Sequence, residues 1–148
     1  MDQKKAGPRI TIFFCQRIDA DQDAYRRPLE KELGSQIRFF PVPCSGRIES
    51  LHLMRALESG ADKVYVVTCP EGACRYREGN IRARKRLAYA QGLIEEIGLA
   101  RDRLELIHLP AGTQTTIDKL VRELLARKAF VNPLPLHAPR QPRQQRQL

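Results

Sequence analysis

The 148-residue sequence has no long hydrophobic run, since its longest apolar segments are residues 10–14 and 64–67. A membrane-spanning helix needs about 20 consecutive apolar residues. The first nine residues include basic side chains but no apolar core and no small-residue cleavage site, which argues against a secretory signal. We therefore expect a cytoplasmic protein with one compact domain.

Motifs that bind nucleotides or carry out catalysis are also lacking. No G-x-G-x-x-G follows the first apolar segment, and no Walker-type phosphate loop is present. The three histidines, His52, His108 and His137, have no spacing typical of a metal site or a catalytic pair. We interpret His52 and His108 as structural residues. Nothing resembles a nucleophile–base arrangement, so no catalytic residue is predicted.

The net charge of +9 is spread over the chain. Residues 131–148 carry three arginines and no acid, and the remaining +6 belongs to the rest of the chain. Its densest basic cluster is Arg82, Arg84, Lys85 and Arg86. Such a surface suggests an acidic partner, either a protein or a nucleic acid, although a solvated helix face would look the same.

Strand-like and helix-like segments alternate along the sequence. Four short segments rich in β-branched and aromatic residues predict strands, and four segments with helical spacing of apolar residues predict helices. The strands are expected at 9–14, 36–42, 63–67 and 103–109, and the helices at 24–33, 48–57, 80–97 and 117–130. This order predicts an α/β fold with a four-stranded parallel sheet flanked by helices on both faces, of the flavodoxin or Rossmann-like kind.

Turn and cap residues agree with these boundaries. Gly34, Gly60 and Gly98 stand where the first three helices should end. Residues 113–116 offer hydroxyl caps for the last helix, and the alternating Asp19, Asp21 and Asp23 are interpreted as helix caps rather than metal ligands.

Three regions follow from the composition. Residues 1–8 form an N-terminal arm, residues 9–130 an α/β domain, and residues 131–148 a tail rich in proline, glutamine and arginine. The tail has no helical or strand period, so we expect it to be disordered or to become ordered only on a partner.

Four cysteines follow the predicted strands. Cys15 follows the first strand, Cys44 the second and Cys69 the third, while Cys74 lies in the same loop as Cys69. Parallel strands bring these loops to one carboxyl edge, where open α/β sheets place their sites. Because disulfides are rare in the cytoplasm, we expect the four thiols to bind a metal or a cluster there.

The spacing of the cysteines favours iron–sulfur chemistry. Cys69-x4-Cys74 is a spacing used in plant-type 2Fe–2S sites. Zinc sites with four cysteines usually show paired C-x2-C motifs, and a redox dithiol at Cys69 and Cys74 would leave the other two cysteines unexplained. The alternative that stays open is a zinc-based or thiol-based regulatory module with a basic surface that binds nucleic acid.

Three segments carry a resemblance to a known family. They are CSGR at 44–47, GADKVYVVTC at 60–69 and CPEGACRYREGN at 69–80 followed by Arg82, Arg84 and Arg86. The sequence resembles the iron–sulfur delta subunit of methyl-viologen-reducing hydrogenase over residues 9–130. Members of this family are also found fused to or beside heterodisulfide-reductase-like proteins.

The resemblance implies an electron-transfer subunit with one 2Fe–2S cluster held by Cys15, Cys44, Cys69 and Cys74. It implies that the subunit relays electrons from a hydrogenase or formate dehydrogenase type donor to a flavin-containing, heterodisulfide-reductase-like partner. A nucleic-acid partner is not implied. The sequence departs from the family at Ile18, where a second cysteine usually lies, and at Pro70 and Arg75, which replace two histidines.

Overall fold

The computed structural model describes residues 9–69, 78–109 and 115–126. Its strands are β1 (Ile10–Cys15), β2 (Ile37–Val42), β3 (Lys63–Thr68) and β4 (Leu104–His108). Its helices are α1 (Gln22–Leu33), α2 (Ser50–Glu58), α3 (Gly79–Glu96) and α4 (Ile117–Ala126). All eight predicted elements are present, although the predicted end of the last helix, at residue 130, lies outside the described residues.

The strands form one parallel sheet in the order β2-β1-β3-β4. This confirms the predicted α/β fold with a single small domain. The three glycines expected at helix ends all have positive φ angles, which are 55° at Gly34, 122° at Gly60 and 86° at Gly98. A residue with a Cβ rarely adopts such angles, which explains why glycine stands there.

Helices cover both faces of the sheet. One apolar core joins the sheet to α1 and α4, through Leu29 and through the buried face of α4 that includes Leu120 and Val121. The second core joins the opposite face to α2 and α3, through Leu53 and Leu87 among others. Alternate residues of β1 face the two cores, as the two-residue period of a strand requires.

One ion pair is built into the start of the sheet. The Nζ of Lys63, at the first residue of β3, lies 2.8 Å from a carboxylate oxygen of Glu105 on β4. The Lys63 side chain is buried, while that of Glu105 is 35% exposed. Burial alone would lower the pKa of Lys63, but the hydrogen bond and the charge of Glu105 raise it above its ordinary value of 10.5.

In the part of the chain that the structure describes, no helix is both long enough and apolar enough to cross a membrane.

Candidate metal centre

Three of the four cysteines lie at the carboxyl edge of the sheet. Cys15 is the last residue of β1, Cys69 directly follows β3, and Cys44 lies two residues beyond β2. Their exposed fractions are 1%, 2% and 6%, respectively. Cys74 lies outside the described residues, as do Gly72, Arg75 and Arg77 in the same loop.

Cys15 and Cys69 are in direct contact. The two Sγ atoms are 3.0 Å apart, with the Cys69 thiol donating to the Cys15 sulfur. The Cys15 thiol in turn faces the carbonyl oxygen of Pro43, at 3.8 Å, in the loop that carries Cys44. The parallel register therefore brings together two residues that are 54 positions apart, and it places the third cysteine loop beside them.

The loop after β2 makes a tight turn around the Cys44 sulfur. Residues Ser45–Arg47 form a single 3-10 turn, and Cys44 caps its start. The backbone N–H of Gly46 donates to the Cys44 Sγ at 3.4 Å. Hydrogen bonds of this kind stabilise a thiolate and its bound metal, and they raise the reduction potential of iron–sulfur sites.

The same loop packs closely against the start of α3. A Cβ atom on Gly46 would lie 2.8 Å from the Cα of Gly79, which is closer than real side chains approach. The guanidinium of Arg86, two turns along α3, donates to the carbonyl oxygens of Gly46 at 2.5 Å and Ile48 at 3.2 Å. Arg86 thus fixes the Cys44 loop to the helix, a role that the charge cluster in the sequence did not reveal.

We expect Arg86→Ala to loosen the Cys44 loop, because two carbonyl oxygens lose a charged donor at a half-buried site. The free energy of unfolding should fall by about 1–3 kcal/mol, which denaturant titration measures. In the metal-free protein, Cys44 should be alkylated faster, which peptide-resolved mass spectrometry measures. Arg84→Ala is the matched control, since Arg84 is exposed on the same helix. Equal alkylation rates of Cys44 in the two variants would contradict the role of Arg86 in fixing the Cys44 loop.

A cleft opens beside Cys44. It has a volume of about 340 Å³ and is lined by Cys44, Gly46, Arg47, Gly79 and Arg82. Both arginines are exposed, and Arg82 also lies 3.6 Å from Glu78 in an ion pair along α3. Arg47 and Arg82 therefore bring positive charge to one side of the cysteine edge, where it can offset the charge of metal-bound thiolates.

The cysteine pair fits two ligands of one tetrahedral metal ion. Thiolates bound to such an ion with bonds of about 2.3 Å lie about 3.8 Å apart, so the two sulfurs need to separate by less than about 1 Å. Within residues 9–69, 78–109 and 115–126, no three cysteine, histidine, aspartate or glutamate side chains form a group that could hold a metal. A complete set of four thiolates therefore requires both Cys44 and Cys74 in addition to this pair.

Two polar contacts near this edge were not assigned from the sequence. One carboxylate oxygen of Asp19 accepts a hydrogen bond at 3.0 Å from the N–H of Asp21, just before α1. The other accepts one at 3.0 Å from the N–H of Ile117, which caps the start of α4. His108 shares a hydrogen bond of 3.1 Å with the hydroxyl of Thr68, next to Cys69. The alternating aspartates predicted a helix cap, but the pattern does not indicate which helix is capped.

One departure from the family and one histidine are explained by packing and capping. Ile18 stands where a second cysteine was expected from the resemblance, and its half-buried side chain packs against the core beneath α1 and α4. The other departures, Pro70 and Arg75, lie outside the described residues. His52 accepts a hydrogen bond from the N–H of Glu49 at 2.9 Å as part of a capping box at the start of α2. Its structural interpretation is therefore confirmed.

Comparisons with known proteins agree on one family for this chain. The profile described as methyl-viologen-reducing hydrogenase, delta subunit, matches residues 10–128. The chain is 33% identical over 131 residues to the vhu iron–sulfur subunit of the F420-non-reducing hydrogenase of Methanocaldococcus jannaschii, covering 88% of this chain and 98% of that protein. It is 35% identical over 124 residues to the iron–sulfur subunit of the F420-non-reducing hydrogenase of Archaeoglobus profundus, covering 79% and 90%.

A second kind of relative is much longer than this chain. It is one of the subunits of the ferredoxin:CoB-CoM heterodisulfide reductase of Methanosarcina mazei, and the two are 36% identical over 94 residues. The match covers 61% of this chain but only 12% of that protein. A region similar to this chain is thus one part of a larger polypeptide there.

Proposed function

Because the chain belongs to the family of methyl-viologen-reducing hydrogenase delta subunits, we propose that it is an electron-transfer subunit carrying one 2Fe–2S cluster. The observation that carries the proposal is the contact of 3.0 Å between the buried sulfurs of Cys15 and Cys69. Two relatives that match nearly their whole length are named iron–sulfur subunits, which supports the same class of cofactor.

The proposed ligands are Cys15, Cys44, Cys69 and Cys74. Cys15 and Cys69 would bind one iron, since their sulfurs already converge. Cys44 and Cys74 would complete the set of four thiolates that a 2Fe–2S cluster requires. When bound, the cluster supplies a site that accepts and releases one electron at a time.

The surrounding residues would tune that site. Burial of Cys15 and Cys69 excludes water from their sulfurs, the N–H of Gly46 donates to Cys44, and Arg47 and Arg82 add positive charge at the rim. The hydrogen bond and the positive charge both favour the reduced, more negative state, and so raise the reduction potential.

We further propose that the electron donor is a hydrogenase or formate dehydrogenase type protein and that the acceptor is a flavin-containing, heterodisulfide-reductase-like protein. The names of the hydrogenase relatives support a hydrogenase as the donor. The acceptor is supported by the similar region inside a heterodisulfide reductase polypeptide, because joining two proteins in one chain keeps them adjacent.

Metal analysis tests the cofactor directly. After anaerobic purification, we expect about two iron atoms and about two acid-labile sulfides per chain, with visible absorption that bleaches on reduction with dithionite. Iron-free protein with about one zinc per chain would overturn the proposal in favour of a structural zinc site. Absence of both metals, together with a reactive thiolate of low pKa, would instead favour a thiol redox function.

A further inference from the structure

The edge strand β2 leaves part of the sheet uncovered on the side of α2 and α3. Ile37 and Phe39 point to the opposite face and are buried in the core with α1 and α4. Arg38 and Phe40 alternate with them and are exposed. Phe40 is 42% exposed, although a large aromatic side chain on a sheet face is ordinarily covered.

A groove runs between β2 and α2 over this uncovered surface. Its volume is about 220 Å³. Phe13 and Ala56 form its buried floor, and the Phe40 ring stacks on that of Phe13 with centroids 5.1 Å apart. The groove therefore offers a flat aromatic surface next to an apolar floor. We call it the β2 groove.

The walls of the β2 groove are basic. Arg38 projects from β2, and Arg55 lies opposite on α2 beside His52. The groove continues into a second cavity of about 350 Å³ that shares Arg38 and reaches Arg9, just before β1. Among the described residues, no aspartate or glutamate lines either cavity.

We propose that the β2 groove docks an acidic, amphipathic segment of a partner protein. Carboxylates of that segment would face Arg38 and Arg55, and an aromatic or aliphatic side chain would pack on Phe40. An apolar anchor framed by charged residues is the usual composition of a protein interface. The charges speed the encounter and select an acidic partner.

Charge argues against the three occupants that this chain could supply, which are its N-terminal arm, its tail and a second copy. Residues 1–8 carry two lysines and one aspartate, and residues 131–148 carry three arginines and no acidic residue, so both segments would be repelled by Arg38 and Arg55. A second copy of the chain has a net charge of +9 and would also be repelled by the basic β2 groove. Like charges placed face to face disfavour association.

Among the residues that the structure describes, the β2 groove and the cleft beside Cys44 share no lining residue. The groove extends from Phe13 and Phe40 into the second cavity at the amino ends of β1 and β2, whereas Cys15 and Cys69 lie at the carboxyl ends of β1 and β3. No cysteine of this part of the chain lines the groove or the second cavity, so the docking does not depend on the proposed cluster.

Binding of a defined peptide tests the proposal. The probe is a fluorescent peptide of glutamates with one phenylalanine and one leucine, compared with a matched peptide that has lysine at each glutamate. With the full-length chain, we expect the acidic peptide alone to bind and its affinity to fall as salt increases. In isotope-labelled protein, the amide signals that shift should be those of β2 and α2.

Charge-reversal variants locate the site. Arg38→Glu with Arg55→Glu should weaken binding of the acidic peptide by about tenfold, and Phe40→Ala by about fivefold. The control is Arg27→Glu with Lys119→Glu, which changes the net charge equally at exposed positions on α1 and α4. It should change binding by less than about twofold. The iron content should remain that of the unmodified protein in all three variants.

Several results would overturn the proposal. Equal weakening by both double variants would show a response to net charge alone. Signal shifts confined to residues 82–86 would place the peptide on the start of α3 instead. Tighter peptide binding after removal of residues 131–148 would identify the tail as the occupant, and a dimer that dissociates in Phe40→Ala would identify a second copy.

Discussion

Replacing Cys69 with serine is expected to reduce the bound iron by more than about tenfold and to abolish the visible absorption of the anaerobically purified protein. Cys69 is buried and its sulfur contacts that of Cys15. A serine hydroxyl is a much harder and less acidic ligand than a thiol, so the proposed iron would lose one of its two cysteine ligands. Iron and sulfide assays measure the loss, and circular dichroism checks that the fold persists.

Cys15→Ser should cause the same loss, because the two sulfurs converge on one point. This variant is the more informative of the two, since the resemblance implied a second cysteine where Ile18 stands. His108→Gln is the matched control: His108 lies at the same edge and contacts Thr68, yet we propose no metal bond from it. Full iron content in Cys15→Ser would remove Cys15 from the ligand set.

Glu105→Gln is expected to lower the free energy of unfolding by about 2–3 kcal/mol. It takes the carboxylate away from the buried ammonium group of Lys63, 2.8 Å distant. Breaking a fully buried pair costs about 3–5 kcal/mol, and the partial exposure of Glu105 reduces this cost through solvent screening. Denaturant titration at pH 7 measures the change.

A double variant distinguishes the contribution of the two charges from that of the packing around them. Lys63→Met with Glu105→Leu removes both charges and keeps similar volumes, so its stability should be within about 1 kcal/mol of the unmodified protein or above it. A double variant as unstable as Glu105→Gln would show that packing around the pair matters more than its charges.

The pH dependence gives an independent check on the same pair. The folded-state pKa of Lys63 is raised above 10.5, so the stability that this shift provides is fully present below pH 10.5. It is lost as the pH rises through the folded-state pKa. Burial lowers the pKa of Lys63 once the Glu105 carboxylate is gone, so the variant loses its Lys63 charge at a lower pH than the unmodified protein. The difference in stability between the two proteins should therefore be largest near neutral pH and shrink as the pH rises towards and above 10.5.

Much of the fold could be predicted because local signals agreed with each other. Gly34, Gly60 and Gly98 marked helix ends, and the β-branched segments marked strands within one or two residues of their observed bounds. The order of the strands was not predictable from these signals, because it depends on how helices pack across the sheet. The parallel arrangement alone was enough to bring Cys15 and Cys69 to one edge.

Apolar spacing predicted only part of the buried face of α3. Leu87 and Ile94 are buried, but Ile81 is 48% exposed and Ile97, just beyond the helix end, is 66% exposed. Ala83 and Ala90 complete the buried face, and their small side chains let α3 lie close to its neighbours. Arg86 was likewise indistinguishable from its solvated neighbours, since its carbonyl partners come from a loop about 40 positions away.

The cap that Asp19 provides for α4 bears on how the protein is made. Asp19 follows the Cys15 loop closely, yet its partner Ile117 lies 98 positions later in the chain. Synthesis proceeds from the N-terminus, so strands β1 to β3 leave the ribosome before this bond can form. The loop after the first cysteine gains this support only when α4 has emerged, which ties the maturation of the site to the synthesis of that helix.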